Sequence, residues 1–202
     1  MRFALPIAAF AAAVLVVACT ADPVDTASRA PVDGAEPVAP VAPAARVAEA
    51  ASSQYTSIAP GDCTLQSRDA ESGAVVHRCA GVPGYALLVH DSDARMSLDL
   101  IVADGEPQPL EFWHVAGMGF SSLGSQVEWR HAPGRDVPKA MVVRFDEYEQ
   151  PERPTSWLLV ANVRSSASCV VAKVPPGPAQ NAQARALADV VDERPCLPPP
   201  GQ

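Results

Sequence analysis

The sequence predicts a mainly β domain, an antiparallel sandwich or half-barrel, with one C-terminal helix packed on the sheet. Three observations predict this class: several segments alternate with a period of two, turn-forming residues separate them at short intervals, and one late segment has a helical period. In residues 95–102, Met96 and Leu98 share one face, whereas Ser97 and Asp99 take the other. Connections this short favour antiparallel hairpins.

The same alternation places the strands along the chain. Clusters of Gly, Pro, Asp and Ser, such as those at 71–73 and 104–107, mark the turns between them. We expect strands over residues 63–68, 74–79, 85–90, 95–102, 109–114, 126–131, 140–147, 156–164 and 168–174.

One segment near the C-terminus, residues 179–194, changes to a helical period. It is rich in helix-forming residues and flanked by prolines, and Ala184, Leu187, Ala188 and Val191 fall on one stripe. We expect a helix that packs this stripe against the sheet.

Composition divides the chain into four parts. We expect residues 1–18 to form a signal peptide, residues 19–53 a lipidated cysteine and a disordered tether rich in Pro and Ala, residues 54–198 a single disulfide-bearing β-rich domain, and residues 199–202 a tail. The tether carries no aromatic residue, so it cannot bury enough apolar surface to offset the entropy of ordering.

Cys19 ends a short apolar run behind Arg2, and the residues before it are small or β-branched. This pattern resembles a bacterial lipoprotein signal, in which Cys19 becomes the acylated N-terminus. Thr20 follows instead of Asp, which favours the periplasmic face of the outer membrane. Two alternatives remain: an ordinary secretory signal cleaved after Ala21, giving a soluble periplasmic protein, and a retained membrane helix. The apolar run is short for such a helix and contains Pro6.

The cysteine count supports lipidation. The chain has five cysteines, and an odd number in an exported protein leaves one thiol to be explained. Acylation of Cys19, for example with palmitate, removes that residue from the count. Four cysteines then remain for an oxidising compartment, where disulfides persist.

Four cysteines allow three pairings. Cys63 and Cys79 lie symmetrically about Glu71, which places them opposite each other across a hairpin. Cys169 opens the last predicted strand, and Cys196 follows the helix that returns along it. We therefore expect disulfides 63–79 and 169–196.

The net charge and the spacing of the histidines indicate which partners are unfavourable. The formal net charge of −8 disfavours nucleic acid, whose phosphates an acidic surface repels. His77, His90, His114 and His131 lie on different predicted strands, and none belongs to a pair with metal-ligand spacing. We expect no cofactor, no metal and no nucleic-acid partner.

Residues 117–125 are the strongest candidate for a contact site. This Gly- and Ser-rich stretch is neither a nucleophile elbow, since Leu123 replaces the last glycine, nor a phosphate loop, since it lacks the Gly-Lys-Ser/Thr end. We expect a loop bordered by aromatic residues that contacts a ligand or partner. The candidate contact residues are Trp113, His114, Phe120, Ser121 and Ser122.

Several short segments of residues 55–197 resemble an exported proteobacterial family without an assigned function. They are GYALLV at 84–89, RMSL at 95–98, FSSLG at 120–124, EWR at 128–130 and NAQAR at 181–185, with Tyr55 and Thr56 before them. The resemblance implies one exported, disulfide-bearing domain. It carries over no catalytic residues.

These expectations favour a non-enzymatic binding or interaction module of the cell envelope, held to the membrane by its N-terminal lipid. The partner is expected to be an envelope protein or a small ligand. The alternative is an envelope inhibitor of a hydrolase, of lysozyme or protease type. A hydrolase with an unrecognised catalytic arrangement is the third interpretation.

Overall fold

A computed structural model describes residues 50–149 and 152–198. The chain forms ten strands and two α-helices in this part, with short 3₁₀ turns at Pro60–Asp62 and Val191–Glu193. The strands are β1 Ser52–Ser57, β2 Thr64–Arg68, β3 Val75–Ala80, β4 Tyr85–Ser92, β5 Arg95–Val102, β6 Gln108–Pro109, β7 Phe120–His131, β8 Pro138–Tyr148, β9 Thr155–Asn162 and β10 Val170–Val174. The helices are α1 Phe112–Val115 and α2 Gln180–Asp189.

The strands form two five-stranded antiparallel sheets that do not close into a barrel. The front sheet has the order β2-β3-β4-β5-β6, which is a simple meander. The rear sheet has the order β1-β7-β8-β9-β10, so only β1 joins it out of sequence. The predicted β-rich class with one C-terminal helix is confirmed, in the form of a sandwich.

The main hydrophobic core lies between the two sheets. Leu87 and Leu98 from the front sheet and Trp129 and Phe145 from the rear sheet are fully buried in it. Phe112 of α1 inserts into the same cluster and meets Phe145 edge-on, with ring centres 6.3 Å apart. Burial of each such side chain contributes about 1.5–3 kcal/mol, so this layer dominates the stability of the fold.

Helix α2 covers the outer face of the rear sheet and makes a second core. Ala184 and Ala188 of the predicted stripe are buried there against Val142, Leu158 and Val160. Small residues on the helix allow close approach to the branched side chains of the strands. The predicted packed helix is confirmed, although it ends at Asp189 and the stripe's last residue lies in the following 3₁₀ turn.

Both predicted disulfides are present. Cys63 and Cys79 lie across the β2–β3 hairpin, where Thr64 pairs with Arg78, and their Cα atoms are 4.5 Å apart. The Cα atoms of Cys169 and Cys196 are 5.7 Å apart. The segment after α2 returns along β10, since the Leu197 N–H donates to the Val170 carbonyl at 2.8 Å.

The strand predicted over residues 109–114 is wrong. The chain makes only the two-residue β6 there and then enters α1, because Glu111 adopts a left-handed conformation with φ of 47°. That turn directs Phe112 into the core, which an extended chain along the sheet edge would not do.

The loop predicted over residues 117–125 is wrong in its second half. Strand β7 begins at Phe120, which pairs with Tyr148 at the end of β8. The register shifts between Leu123 and Val127, and such a bulge breaks the alternation by which a strand is recognised. Strand β1 is not among the predicted strands, and its first two residues, Ser52 and Ser53, lie in the segment expected to be the tether.

The predicted signal peptide, the lipidated Cys19, most of the tether and the tail fall outside the described residues. Within residues 50–149 and 152–198, no helix has the length and apolar character needed to cross a membrane.

Candidate functional site

The tight turn between β4 and β5 separates two clefts. Asp93 and Ala94 occupy its two central positions with φ of 53° and 54°. Two-residue hairpins of this type need positive φ at both positions, which costs a non-glycine residue about 1 kcal/mol. The turn is therefore strained, and the residues on either side of it line the two clefts.

The first cleft, called the Trp113 cleft below, has a volume of about 520 Å³ and lies between β4, β5 and the start of α1. Its lining combines carboxylates, a guanidinium, an imidazole and one large aromatic ring. The lining residues are His90, Ser92, Asp93, Arg95, Ser97, Asp99, Pro109, Glu111 and Trp113.

The polar groups of the Trp113 cleft are held in place by one another. The Nε2 atom of His90 lies 2.9 Å from Oδ2 of Asp99, and their side chains are 34% and 15% exposed. The hydroxyl of Ser97 accepts the backbone N–H of Phe112 at 3.0 Å, which ties α1 to β5. The cleft floor is thus preformed.

Helix α1 supplies the aromatic wall of this cleft. The rings of Trp113 and His114 lie against each other at a tilt of 35° with centres 3.4 Å apart, and Nδ1 of His114 lies 3.5 Å from Oε2 of Glu111. His114 therefore supports Trp113 and Glu111 but does not itself line the cleft.

The second cleft, called the Phe120 cleft, also has a volume of about 520 Å³. It lies where the start of β7 and the end of β8 meet the β4–β5 turn. Its lining residues are Asp91, Ala94, Met96, Phe120, Ser121, Ser122, Tyr148 and Glu149. The Ser122 and Tyr148 hydroxyls are 3.1 Å apart, and the Phe120 side chain is 51% exposed.

Ser121 joins the two sheets at this corner. Its N–H donates to the Ala94 carbonyl at 2.8 Å, and its hydroxyl accepts the N–H of Met96 at 3.1 Å. The residue is buried. Among the described residues, no hydrogen bond links Ser121 to His114, so the structure does not pair them as nucleophile and base.

Arg95 forms the wall between the clefts. Its guanidinium lies 5.1 Å from the centre of the Phe120 ring, within the range of a cation–π contact. It also pairs with Asp93 and donates from Nε to the Met118 carbonyl at 3.3 Å. One side chain therefore connects the turn, the segment before β7 and both clefts.

The segment from α1 to β7 is held by two charged side chains, Glu147 of β8 and Lys173 of β10. The Glu147 side chain is only 16% exposed, and its Oε2 lies 3.4 Å from Nζ of Lys173. Lys173 also donates to the Ala116 carbonyl and lies over the Trp157 ring, 3.8 Å from its centre. The sequence signal that could have indicated a buried partner for Glu147 is the lysine within the otherwise apolar strand β10.

A third cleft of about 350 Å³ lies beside α2, and Glu128 and Arg144 are the charged residues of its lining. Arg185 donates from Nε to Glu128 at 2.7 Å, and Ser53 donates to it at 2.5 Å. Burial alone would raise the pKa of Glu128, but the hydrogen bonds from Arg185 and Ser53 outweigh it and hold the pKa below its ordinary value. These contacts dock α2 on the sheet, so we assign this cluster a structural role.

The structure divides the five predicted contact residues. Trp113 lines one cleft, Phe120, Ser121 and Ser122 line the other, and His114 supports the first from behind. Sequence reasoning missed Arg95, His90 and Asp99, because only the pairing of β4 with β5 brings them together.

In the part of the chain that the structure describes, no group of three or more His, Cys, Asp or Glu side chains is placed to hold a metal ion. Comparisons of the chain with family models, curated proteins and solved structures found no match.

Proposed function

We propose that this chain is a lipid-anchored protein of the bacterial cell envelope whose sandwich domain binds a partner or ligand without chemical conversion. The observation that carries the proposal is the position of the predicted contact residues. Four of the five, chosen from sequence, line two preformed clefts on either side of one strained turn.

The location rests on the N-terminal pattern and on the cysteines. Cys19 follows a signal-like run, and the other four cysteines form two disulfides. Disulfides persist in oxidising compartments such as the periplasm, which supports export. The resemblance to an exported proteobacterial family supports the same location.

The chemistry of the clefts favours binding over hydrolysis. The Ser121 hydroxyl accepts the backbone N–H of Met96, and the His114 imidazole lies against Trp113 and beside Glu111. These groups hold the clefts in shape. The clefts are also recessed, which suits reception of a ligand, whereas an inhibitor of a hydrolase inserts a projecting segment into its target.

Site-specific crosslinking in intact cells tests the binding function. A photoreactive amino acid is placed at Ser92 in the Trp113 cleft or at Phe120 in the other cleft. Leu65 on β2 is the matched control, because its side chain is also 51% exposed. We expect an adduct, detected by gel shift or intact mass, from position 92 or 120 and none from position 65. Equal labelling at all three positions, or none at any, would overturn the proposal.

Acyl labelling tests the anchor separately. We expect the mature protein to incorporate a labelled fatty acid and the Cys19→Ala variant to incorporate none. A mature N-terminus at Asp22 would instead support the ordinary secretory signal.

A further inference from the structure

The Trp113 cleft has a composition suited to one class of ligand. We propose that it binds a saccharide that carries no anionic group, an inference that rests on the binding function proposed above. The sugar ring would lie against Trp113, and its hydroxyls would exchange hydrogen bonds with Asp99, Glu111 and Arg95.

The size and shape of the cleft fit a small saccharide. Its volume of about 520 Å³ lies within the usual range of ligand sites, about 300–1,000 Å³. It is open to solvent along the face of the front sheet that points away from the sandwich core, where Ser97 and Asp99 lie opposite the core-facing Leu98. A cleft open along this outer face accepts one or two sugar rings of a longer chain.

The polar lining matches the hydrogen bonding of a polyol. Each sugar hydroxyl can both donate and accept, so a site needs fixed acceptors and fixed donors side by side. Asp99 and Glu111 supply carboxylate acceptors, whereas Arg95 supplies guanidinium donors and His90 supplies a ring nitrogen. The contact between His90 and Asp99 at 2.9 Å orients both groups before a ligand arrives. Hydrogen bonds to charged groups are stronger than neutral ones, which helps them compete with water.

Trp113 supplies the apolar surface that a sugar ring also needs. A pyranose has a face of C–H groups that packs on an aromatic ring, and tryptophan offers the largest such ring. The side chain is half-buried, and its ring lies against that of His114. A side chain with few rotatable bonds, such as that of Trp113, loses little conformational entropy when a ligand binds.

Charge selects among saccharides. Three carboxylates in the lining, those of Asp93, Asp99 and Glu111, outnumber the single guanidinium of Arg95. Asp93 already pairs with Arg95, so little positive potential is left for a phosphate or sulfate. A neutral sugar or one with a free amine avoids this repulsion.

Titration calorimetry of the detergent-solubilised full chain with three disaccharides tests the inference. The probes are N,N′-diacetylchitobiose as the neutral sugar, its deacetylated diamine, and a sulfated disaccharide. We expect the first two to bind in the micromolar to millimolar range and the sulfated sugar at least tenfold more weakly. Intrinsic fluorescence gives a second readout. Of the three tryptophans, Trp113 lines the cleft, whereas Trp129 is fully buried and Trp157 lies under Lys173.

Three variants locate the site. Trp113→Ala is expected to weaken binding at least tenfold, Trp113→Phe to retain part of it, and Glu111→Gln to weaken it severalfold. The Glu111 side chain is 58% exposed, so this last variant keeps the fold even if Trp113→Ala does not. Leu65→Ala on the distant β2 serves as the unchanged control.

The outcomes separate the two proposals. Three results would overturn the saccharide inference. The first is that none of the three sugars binds, and the second is that the sulfated sugar binds most tightly. The third is that the Trp113→Phe, Glu111→Gln and unmodified proteins bind equally well. If one of these results accompanies a specific crosslink from position 92 or 120, the binding module stands and only its ligand class fails. If crosslinking also gives nothing, both fail.

Discussion

The guanidinium of Arg95 lies 5.1 Å from the centre of the Phe120 ring, and this contact joins the front sheet to the first residue of β7. Arg95 lines the Trp113 cleft and Phe120 lines the other, so one side-chain pair is the boundary of both. A ligand that displaced either side chain would change the shape of the neighbouring cleft.

A double-mutant cycle on Arg95 and Phe120 measures the free energy that their contact contributes to stability. Exposed cation–π pairs contribute about 0.5–1 kcal/mol. We expect Arg95→Ala and Phe120→Ala to show a coupling free energy of that size in urea denaturation. Coupling near zero would mean that the two side chains do not interact in solution.

Phe120→Ala alone is expected to leave the thermal stability nearly unchanged, because its ring is half exposed. The Leu65 side chain has the same exposed fraction, so the Leu65→Ala variant shows how much stability is lost when a half-exposed apolar side chain is removed. Differential scanning calorimetry should give melting temperatures within a few degrees of the unmodified protein for both. A drop of many degrees for Phe120→Ala alone would place that ring in the core.

Gly117→Ala is expected to destabilise the fold by about 1 kcal/mol, the low end of the usual cost of overpacking, because the end of the Glu147 side chain must move. A Cβ atom at Gly117 would lie 1.9 Å from Oε1 of Glu147, which Lys173 holds from the other side. Chemical denaturation measures the loss. The Gly61→Ala variant is the control, since nothing lies within 4 Å of a Cβ at that position. Equal losses for the two variants would contradict the close packing of Glu147 against Gly117.

The lowered pKa of Glu128 predicts that the docking of α2 on the sheet is weakened by acid. Its pKa in the folded protein lies below the ordinary value of 4.5, so the folded carboxylate stays charged where the unfolded one is protonated. The resulting stabilisation is complete above about pH 4.5 and is lost as the pH falls through the folded pKa. We expect Glu128→Gln to lose less stability between pH 7 and pH 3.5 than the unmodified protein, measured by urea denaturation. An equal loss would show that the hydrogen bonds from Arg185 and Ser53 do not favour the charged form.

Most of the fold followed from local patterns. Alternation found β5 and the turns around it, and the helical stripe of Ala184 and Ala188 found α2, because both periods are properties of a single segment. The disulfide 63–79 followed from the symmetry of a hairpin, which is also local. The errors came where the local pattern was broken, at the left-handed Glu111 and at the bulge after Leu123.

The candidate site was found only in part. Trp113 and Phe120 were identified as aromatic residues beside a Gly- and Ser-rich stretch, a signal that sequence carries. The pairing of His90 with Asp99 was not, because nine residues separate them and only the register of β4 on β5 brings them within 2.9 Å. The burial of Glu147 was missed for the same reason, since Lys173 reaches it from another strand.

The sequence by itself determined the class of fold, the pairing of the cysteines and the residues to suspect, since each depends on the pattern of one segment or on the order of neighbouring segments. Only the tertiary structure decided that these residues line two clefts instead of one loop. Strand β7 had to pair with β8, and the strained turn at Asp93 and Ala94 had to lie beside it, before Arg95 could meet Phe120. Contacts between distant segments depend on how the sheets pack, and no local period encodes that packing.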